Sequence, residues 1–255
     1  MSTPSPSNPL NRIACAIGTF FFRWRNTLFP IIFIATALVV RPAPFLNNSH
    51  ADLITTILGT LIATAGQLIR CATIGLAYIV RGGKDRRVYA DNLVQDGIYA
   101  HTRNPMYLGN LLIAAGFCLL YGSPWMYAGV FPFFWIVYLC IVRTEERYLA
   151  QKFGADYEHY RRTVPAFWPR TAGLVNTLAD HTFNWKKVIS KEYGTLFTFS
   201  VGLYGLLLYK RGLFTPPQSC CPLQYILLLT SPVILFFVAY LAARILKKTG
   251  RLGPP

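Results

Sequence analysis

The sequence predicts an all-α fold, a polytopic membrane helical bundle of about six transmembrane helices with its polar material gathered at the cytoplasmic face. Three observations carry this. The 255 residues are 53% hydrophobic and only 14% charged, against roughly 25% charged in soluble domains. The apolar residues fall in blocks long enough to cross a bilayer. Lys and Arg then crowd the segments on one side of those blocks.

The elements follow in order. Residues 1–12 are rich in Pro, Ser and Asn, a composition too polar to bury a core, so disorder is expected there. No basic n-region followed by an apolar h-region and cleavage site is visible, so no signal peptide is expected. Residues 13–22 are apolar but short and are followed by Arg23-Trp24-Arg25-Asn26. They are expected to lie at the membrane interface. Spans are then expected at 27–46, 52–80, 105–122, 125–142, 194–209 and 223–246. The third and fourth are joined by Gly122-Ser123-Pro124 and form a helical hairpin. The second contains Gln67 and Arg70, polar groups that are costly inside a membrane.

Six spans put both termini on one side. With the termini in the cytoplasm, 21 of the 25 Lys and Arg residues fall there and only Arg41, Lys210 and Arg211 fall outside. That is a strong positive-inside bias. Nine of the ten acidic residues fall on the same side, Asp52 being the exception. The net charge of +15 therefore anchors spans to an anionic leaflet. It forms no basic face with interleaved aromatics, which excludes a nucleic-acid partner. The six cysteines show no Cys-x-x-Cys or Cys/His spacing, so no metal site is expected.

Two cytoplasmic blocks hold the chemistry-bearing residues. The first is VYADNLVQDGIYAHTRNPMYLGN, 88–110. Asn104 suits an N-cap and Pro105 the first helical position of the third span. The start of that helix, with His101 and Arg103 just before it, suits an anion. Gly109 and Gly116 permit close approach of a helix or ligand. The second block is RTEERYLAQKFGADYEHYRRTVPAFWPR, 143–170. Leu149, Phe153, Tyr157 and Tyr160 recur at helical spacing and are expected to face lipid. Gly154 ends one helix and Asp156 caps a second. Glu145 and Glu146 stand at the mouth of the fourth span and call for a cationic partner, either Arg143 or Arg147 or a bound cation.

These two blocks, in this order and with a short hairpin between them, resemble the core of the isoprenylcysteine carboxyl methyltransferase and phospholipid methyltransferase superfamily. The resemblance covers residues 88–170. It implies an integral membrane enzyme that uses S-adenosylmethionine, with a cytoplasmic catalytic region. It further implies that Asp91, Asn92, Leu93, Val94 and Tyr99 line the cofactor pocket, with His101 and Arg103 beside it. Asn104, Pro105 and Tyr107 would close around the cofactor. Glu145 would face the reacting centre, with Arg143 and Glu146 nearby, and Tyr107 and Leu111 would flank a lateral opening for the substrate. The sequence departs from many prenylcysteine enzymes at Asn104, where they carry histidine, and from the eukaryotic ones at Asp91, also a histidine there.

The chain then divides into a cytoplasmic N-terminal segment (1–26), the first two spans with the start of the loop (27–87), the core (88–170), and a linker with two C-terminal spans (171–255). The expected partners are the bilayer and a lipid or lipidated acceptor. A carboxylate acceptor needs only an orienting cation, whereas an amine needs a base; the residue types serve both. Two other classes compete. A sterol-type membrane reductase using NADPH has a similar Tyr-rich charged helix. A non-catalytic scaffold or transporter would account for Gln67 and Arg70.

Overall fold

The computed structural model describes residues 9–42, 45, 48–76, 88–180, 182–210 and 222–252. Its elements are α1 (Pro9–Val39), α2 (Ser49–Leu76), a 3₁₀ turn (Gly97–Ala100), α3 (Pro105–Tyr121), a π-helical turn (Met126–Val130), α4 (Phe131–Phe153), α5 (Ala155–Thr163), α6 (Leu174–Asp180), α7 (Trp185–Lys210) and α8 (Pro222–Lys248). No strand occurs among the described residues, and the protein is an all-α membrane bundle. Residues 1–8, the basic loop at 81–87, and Cys220 with Cys221 lie outside the described residues.

Of the expected spans, three fall on helical stretches that, among the described residues, are both long and apolar enough to cross a membrane: Ser49–Leu76, Met126–Phe153 and Tyr225–Lys248. The other helices fall short for identifiable reasons. The 17 residues of α3 rise only about 25 Å, less than the ~30 Å hydrocarbon core. The first turns of α7 carry Lys186, Lys187, Lys191 and Glu192, and the middle of α1 carries Arg23 and Arg25. The interfacial segment expected at 13–22 is not a separate element. It is the first half of the continuous α1, which also absorbs residues 9–12 and runs through Pro30.

Aromatic rings lock α1 onto α4. Phe22 is buried with Phe134, Tyr138 and Ile141. Phe29 meets the Phe134 ring edge-on at 4.8 Å, and Phe33 stacks on it at 4.9 Å, both favoured geometries.

The tightest seam is between α2 and α3, and it is made of small residues. An added Cβ on Gly59 would lie 2.7 Å from the Gly116 carbonyl oxygen, and one on Gly66 2.6 Å from that of Gly109. Lipid supplies no hydrophobic force between helices, so such backbone contact is what holds them together. The expectation that Gly109 and Gly116 admit a helix is met, and the helix is α2.

Two ion pairs tie α7 antiparallel to α2. Glu192 near the start of α7 binds Arg70 at 2.8 Å, and Lys210 at its end binds Asp52 at 2.8 Å. The last helix, α8, packs on α7 through Tyr240, whose ring lies 5.0 Å from Phe197 and 5.3 Å from Tyr193. Phe237 adds a further contact to Phe197 at 6.1 Å, and most of the described surface of α8 is exposed.

The seam makes a signed prediction. Ala is the better helix former by about 1 kcal/mol, so Gly205→Ala on α7, with nothing within 4 Å, holds or raises the unfolding midpoint in detergent. Gly66→Ala lowers it, because overpacking of this kind costs about 1–3 kcal/mol. Equal midpoints for the two variants would refute the seam.

Candidate active site

The segment leading into α3 is strapped to the segment leaving α5. The Arg103 amide donates to the Pro165 carbonyl at 2.9 Å, and the Arg170 amide to that of His101 at 3.0 Å. The Thr102 hydroxyl reaches the Ala166 and Phe167 carbonyls, and the Asn104 side-chain amide reaches Ala166 at 3.1 Å. Arg103 does most. Its guanidinium binds Glu146 at 2.8 Å and the carbonyls of Arg161 and Val164 at 2.7 and 2.6 Å.

This strap turns the aromatic stripe inward. Tyr157, Tyr160 and Val164 are buried against Leu93, Leu149 and Phe153. The stripe therefore does not face lipid as expected; it packs under the 88–100 segment. The Tyr160 hydroxyl donates to the Tyr99 carbonyl at 2.8 Å. Burial holds the Tyr99 and Tyr160 hydroxyls well above the usual phenol range, so both stay protonated at neutral pH. Gly154, at φ +54°, separates α4 from α5 and is itself the N-cap. Asp156 lies inside the first turn of α5 and does not cap it.

Beneath the strap is a cavity of about 330 Å³, at the small end of the ligand-site range of about 300–1,000 Å³. Of the residues the sequence singles out, Asp91, Asn92, Leu93, Val94, Tyr99, Arg103, Asn104, Tyr107 and Glu145 line it. Glu145 accepts a 2.6 Å hydrogen bond from the Tyr107 hydroxyl, which in turn accepts one at 2.7 Å from Arg25 on α1. A donor polarised from behind donates more strongly, so this relay fixes one carboxylate oxygen of Glu145. The other has no hydrogen-bond partner among the described residues.

Five singled-out residues lie elsewhere. His101 is buried between the Arg170 carbonyl and the Thr177 hydroxyl, each at 2.9 Å; it holds the strap. Glu146 is one residue on from Glu145, so it projects about 100° away around the helix and is taken by Arg103, not by Arg143 or Arg147. Arg143 is exposed and does not line the cavity. Pro105 is buried as the first residue of α3, and Asn104 makes no side-chain cap there, its amide being spent on Ala166. Leu111 is 3% exposed and packs with Phe134 and Tyr138, so no opening exists at that point.

Other wall residues come from distant parts of the chain: Arg25, Arg70, Asn110, Tyr138 and Thr195. The arginines had a signal, since charges within apolar helices mark functional interiors. Asn110, Tyr138 and Thr195 had none. Among the described residues no cluster of His, Cys, Asp or Glu could hold a metal.

The described residues thus form an all-α membrane bundle with a polar cavity beneath the strap. A family model described as phospholipid methyltransferase matches residues 54–156. The cobalt-zinc-cadmium resistance protein CzcN of Cupriavidus metallidurans is 30% identical over 173 residues, 66% of this chain and 74% of that protein. Two protein-S-isoprenylcysteine O-methyltransferases are also similar. That of Schizosaccharomyces pombe is 40% identical over 80 residues, 30% of this chain and 33% of that enzyme. That of Saccharomyces cerevisiae is 32% identical over 124 residues, 46% of this chain and 50% of that enzyme. The chain thus spans a third to a half of the two yeast enzymes. No solved structure matches it. The chain belongs to the isoprenylcysteine carboxyl methyltransferase and phospholipid methyltransferase superfamily, and it is a membrane methyltransferase.

The strap is testable apart from catalysis. Arg103→Lys keeps the charge but loses the fork that reaches Glu146 and two carbonyls at once. Unsatisfied buried acceptors cost about 1–3 kcal/mol. The variant should unfold at lower temperature and be cleaved faster by protease between 160 and 180. Parent-like cleavage would show that the strap is held elsewhere.

Proposed function

We propose that this protein transfers a methyl group from S-adenosylmethionine to a lipid-anchored acceptor at the cytoplasmic face of its membrane, with both termini in the cytoplasm. The observation that carries the reading is the convergence, in one cavity, of the 88–94 segment, Tyr99, Tyr107 and Glu145 with three guanidinium groups. That donor set fits the cofactor. Glu145 answers its cationic end, Arg25 and Arg70 answer its carboxylate, and Leu93, Val94 and Met106 offer apolar wall to its nucleoside and thioether parts. When bound, S-adenosylmethionine supplies an electrophilic methyl carbon on a sulfonium sulfur.

The chain's own residues then have three tasks. The first is alignment, because in-line displacement gains most from holding donor and acceptor at near-attack distance. Asn104 and Tyr107, at the start of α3, and the 88–94 segment form the fixed walls for this. The second is exclusion of water, which the strap and the buried Tyr157–Tyr160 cluster provide. The third is charge. Glu145, fixed by Tyr107, stabilises a cation, and with an amine acceptor it accepts the proton. The Lys and Arg asymmetry supports the cytoplasmic orientation, and the position of the cavity at the basic end of α4 agrees with it.

The deciding experiment is a titration of purified protein in detergent with S-adenosylhomocysteine and, separately, with NADPH. Binding of the first alone is expected, and binding of NADPH alone would return the reductase. Glu145→Gln should fold normally and lose turnover by about a hundredfold, within the range for a positioned acid or base. Glu158→Gln, in an exposed pair with Arg161, should be close to silent, as such pairs contribute little. Acceptors with a carboxylate or an amine head, each with and without a lipid tail, assign the acceptor class. Equal turnover of tailed and tail-less heads would exclude a lipid-anchored substrate.

A further inference from the structure

We infer that Arg70 holds an oxyanion at the inner wall of the cavity, and that Glu192 on α7 is its positioning residue, so that a helix beyond the family-matched segment completes the site. The inference rests on reading the cavity as the methyl-transfer site.

Arg70 is 5% exposed and Glu192 is fully buried. Their contact is a fork. Nε lies 3.1 Å from Oε2, and Nη2 lies 2.9 and 2.8 Å from Oε1 and Oε2. Nη1 donates to the Asn110 side-chain carbonyl on α3 and keeps a second N–H. The guanidinium is thus gripped from two helices, which leaves it one orientation.

The orientation is toward the cavity. Arg70 and Asn110 line it while Glu192 does not, and Thr195, one turn along α7 from Glu192, lines it too. The pair therefore presents its positive end to the cavity and seals its negative end behind. The stem of Arg70 reaches this place by crossing Gly109, where an added Cβ would lie 2.7 Å from Arg70 Cγ.

A buried ion pair is a poor way to glue two helices. Its desolvation cost is commonly larger than its attraction, and packed apolar residues of equal volume hold as well or better. A pair that leaves an N–H on a cavity wall does something apolar residues cannot. Of the other charged groups on this wall, Asp91 is bonded to Tyr89, Arg103 to Glu146, and Arg25 and Glu145 each to Tyr107; Arg70 is gripped by side chains from two helices. The oxyanion would be the carboxylate of the methyl donor or an anionic group on the acceptor head.

Arg70→Lys is the test. It keeps the charge and one contact to Glu192 but loses the fork that binds Glu192 and Asn110 together. The measurements are the affinities for S-adenosylhomocysteine and for methylthioadenosine, which lacks the amino-acid carboxylate, together with acceptor KM, kcat and the unfolding midpoint. If the oxyanion belongs to the donor, affinity for S-adenosylhomocysteine falls at least tenfold and that for methylthioadenosine is unchanged. If it belongs to the acceptor, both affinities hold and acceptor kcat/KM falls at least tenfold. Glu192→Gln should repeat whichever pattern appears. Arg70→Glu combined with Glu192→Arg separates positioning from glue, because it restores the pair but takes the guanidinium off the wall. Recovery of the midpoint without turnover is expected, and recovery of both would overturn the inference. So would an Arg70→Lys variant equal to the parent in every ligand measurement, even if the exchanged protein failed to accumulate. Failure of the parent itself to bind S-adenosylhomocysteine would instead overturn the functional reading.

Discussion

Backbone-to-backbone contact between α2 and α3 is the constraint on which the site depends. A helix pair in lipid cannot rely on expelling water, and close approach is the remaining source of attraction. Gly59, Gly66, Gly109 and Gly116 make that approach possible. It also decides what reaches the cavity. With any larger residue at 109, Arg70 could not cross α3 to meet Asn110. With α2 farther out, Glu192 would lose its fork to Arg70. The polar interior is thus a consequence of four missing side chains.

The two adjacent acids show how helix geometry divides labour. Glu145 and Glu146 are equivalent in composition and neighbours in sequence, yet one lines the cavity and the other anchors the strap. The step of about 100° between successive residues sends them to opposite tasks. Arg103 completes the division by taking Glu146 out of the site and tying residues 161–164 to the start of α3. A single guanidinium therefore bridges the roof of the cavity and one of its walls.

Local features were legible in the sequence because local rules govern them. Pro105 opens α3 and Gly154 separates α4 from α5, as their backbone preferences require. The helical bundle was legible too, and Asp91, Asn92, Leu93 and Val94, singled out by the resemblance, line the cavity. Misreadings arose where the deciding partner is distant. Arg25 meets Tyr107 across 82 positions, and Arg70 meets Glu192 across 122; no periodicity reports such pairs. The Tyr157–Tyr160 stripe has the spacing of a lipid-facing surface, and only the fold of the 88–100 segment over it makes it a wall. His101 had the type and place of an anion-binding residue, but its two ring nitrogens are taken by the Arg170 carbonyl and the Thr177 hydroxyl.

The two ion pairs between α2 and α7 have a geometric consequence. Asp52 and Arg70 stand eighteen positions apart on α2, and so do Glu192 and Lys210 on α7. At 1.5 Å per residue each interval is about 27 Å, close to the thickness of the hydrocarbon layer. The helices are clasped at both ends of that interval like two rulers pinned at matching marks. One inserted residue in α7 between those marks would swing Lys210 by about 100° and advance it by about 1.5 Å. One pair would then have to part. Side chains on the lipid side of that interval are free to vary, but its length is not.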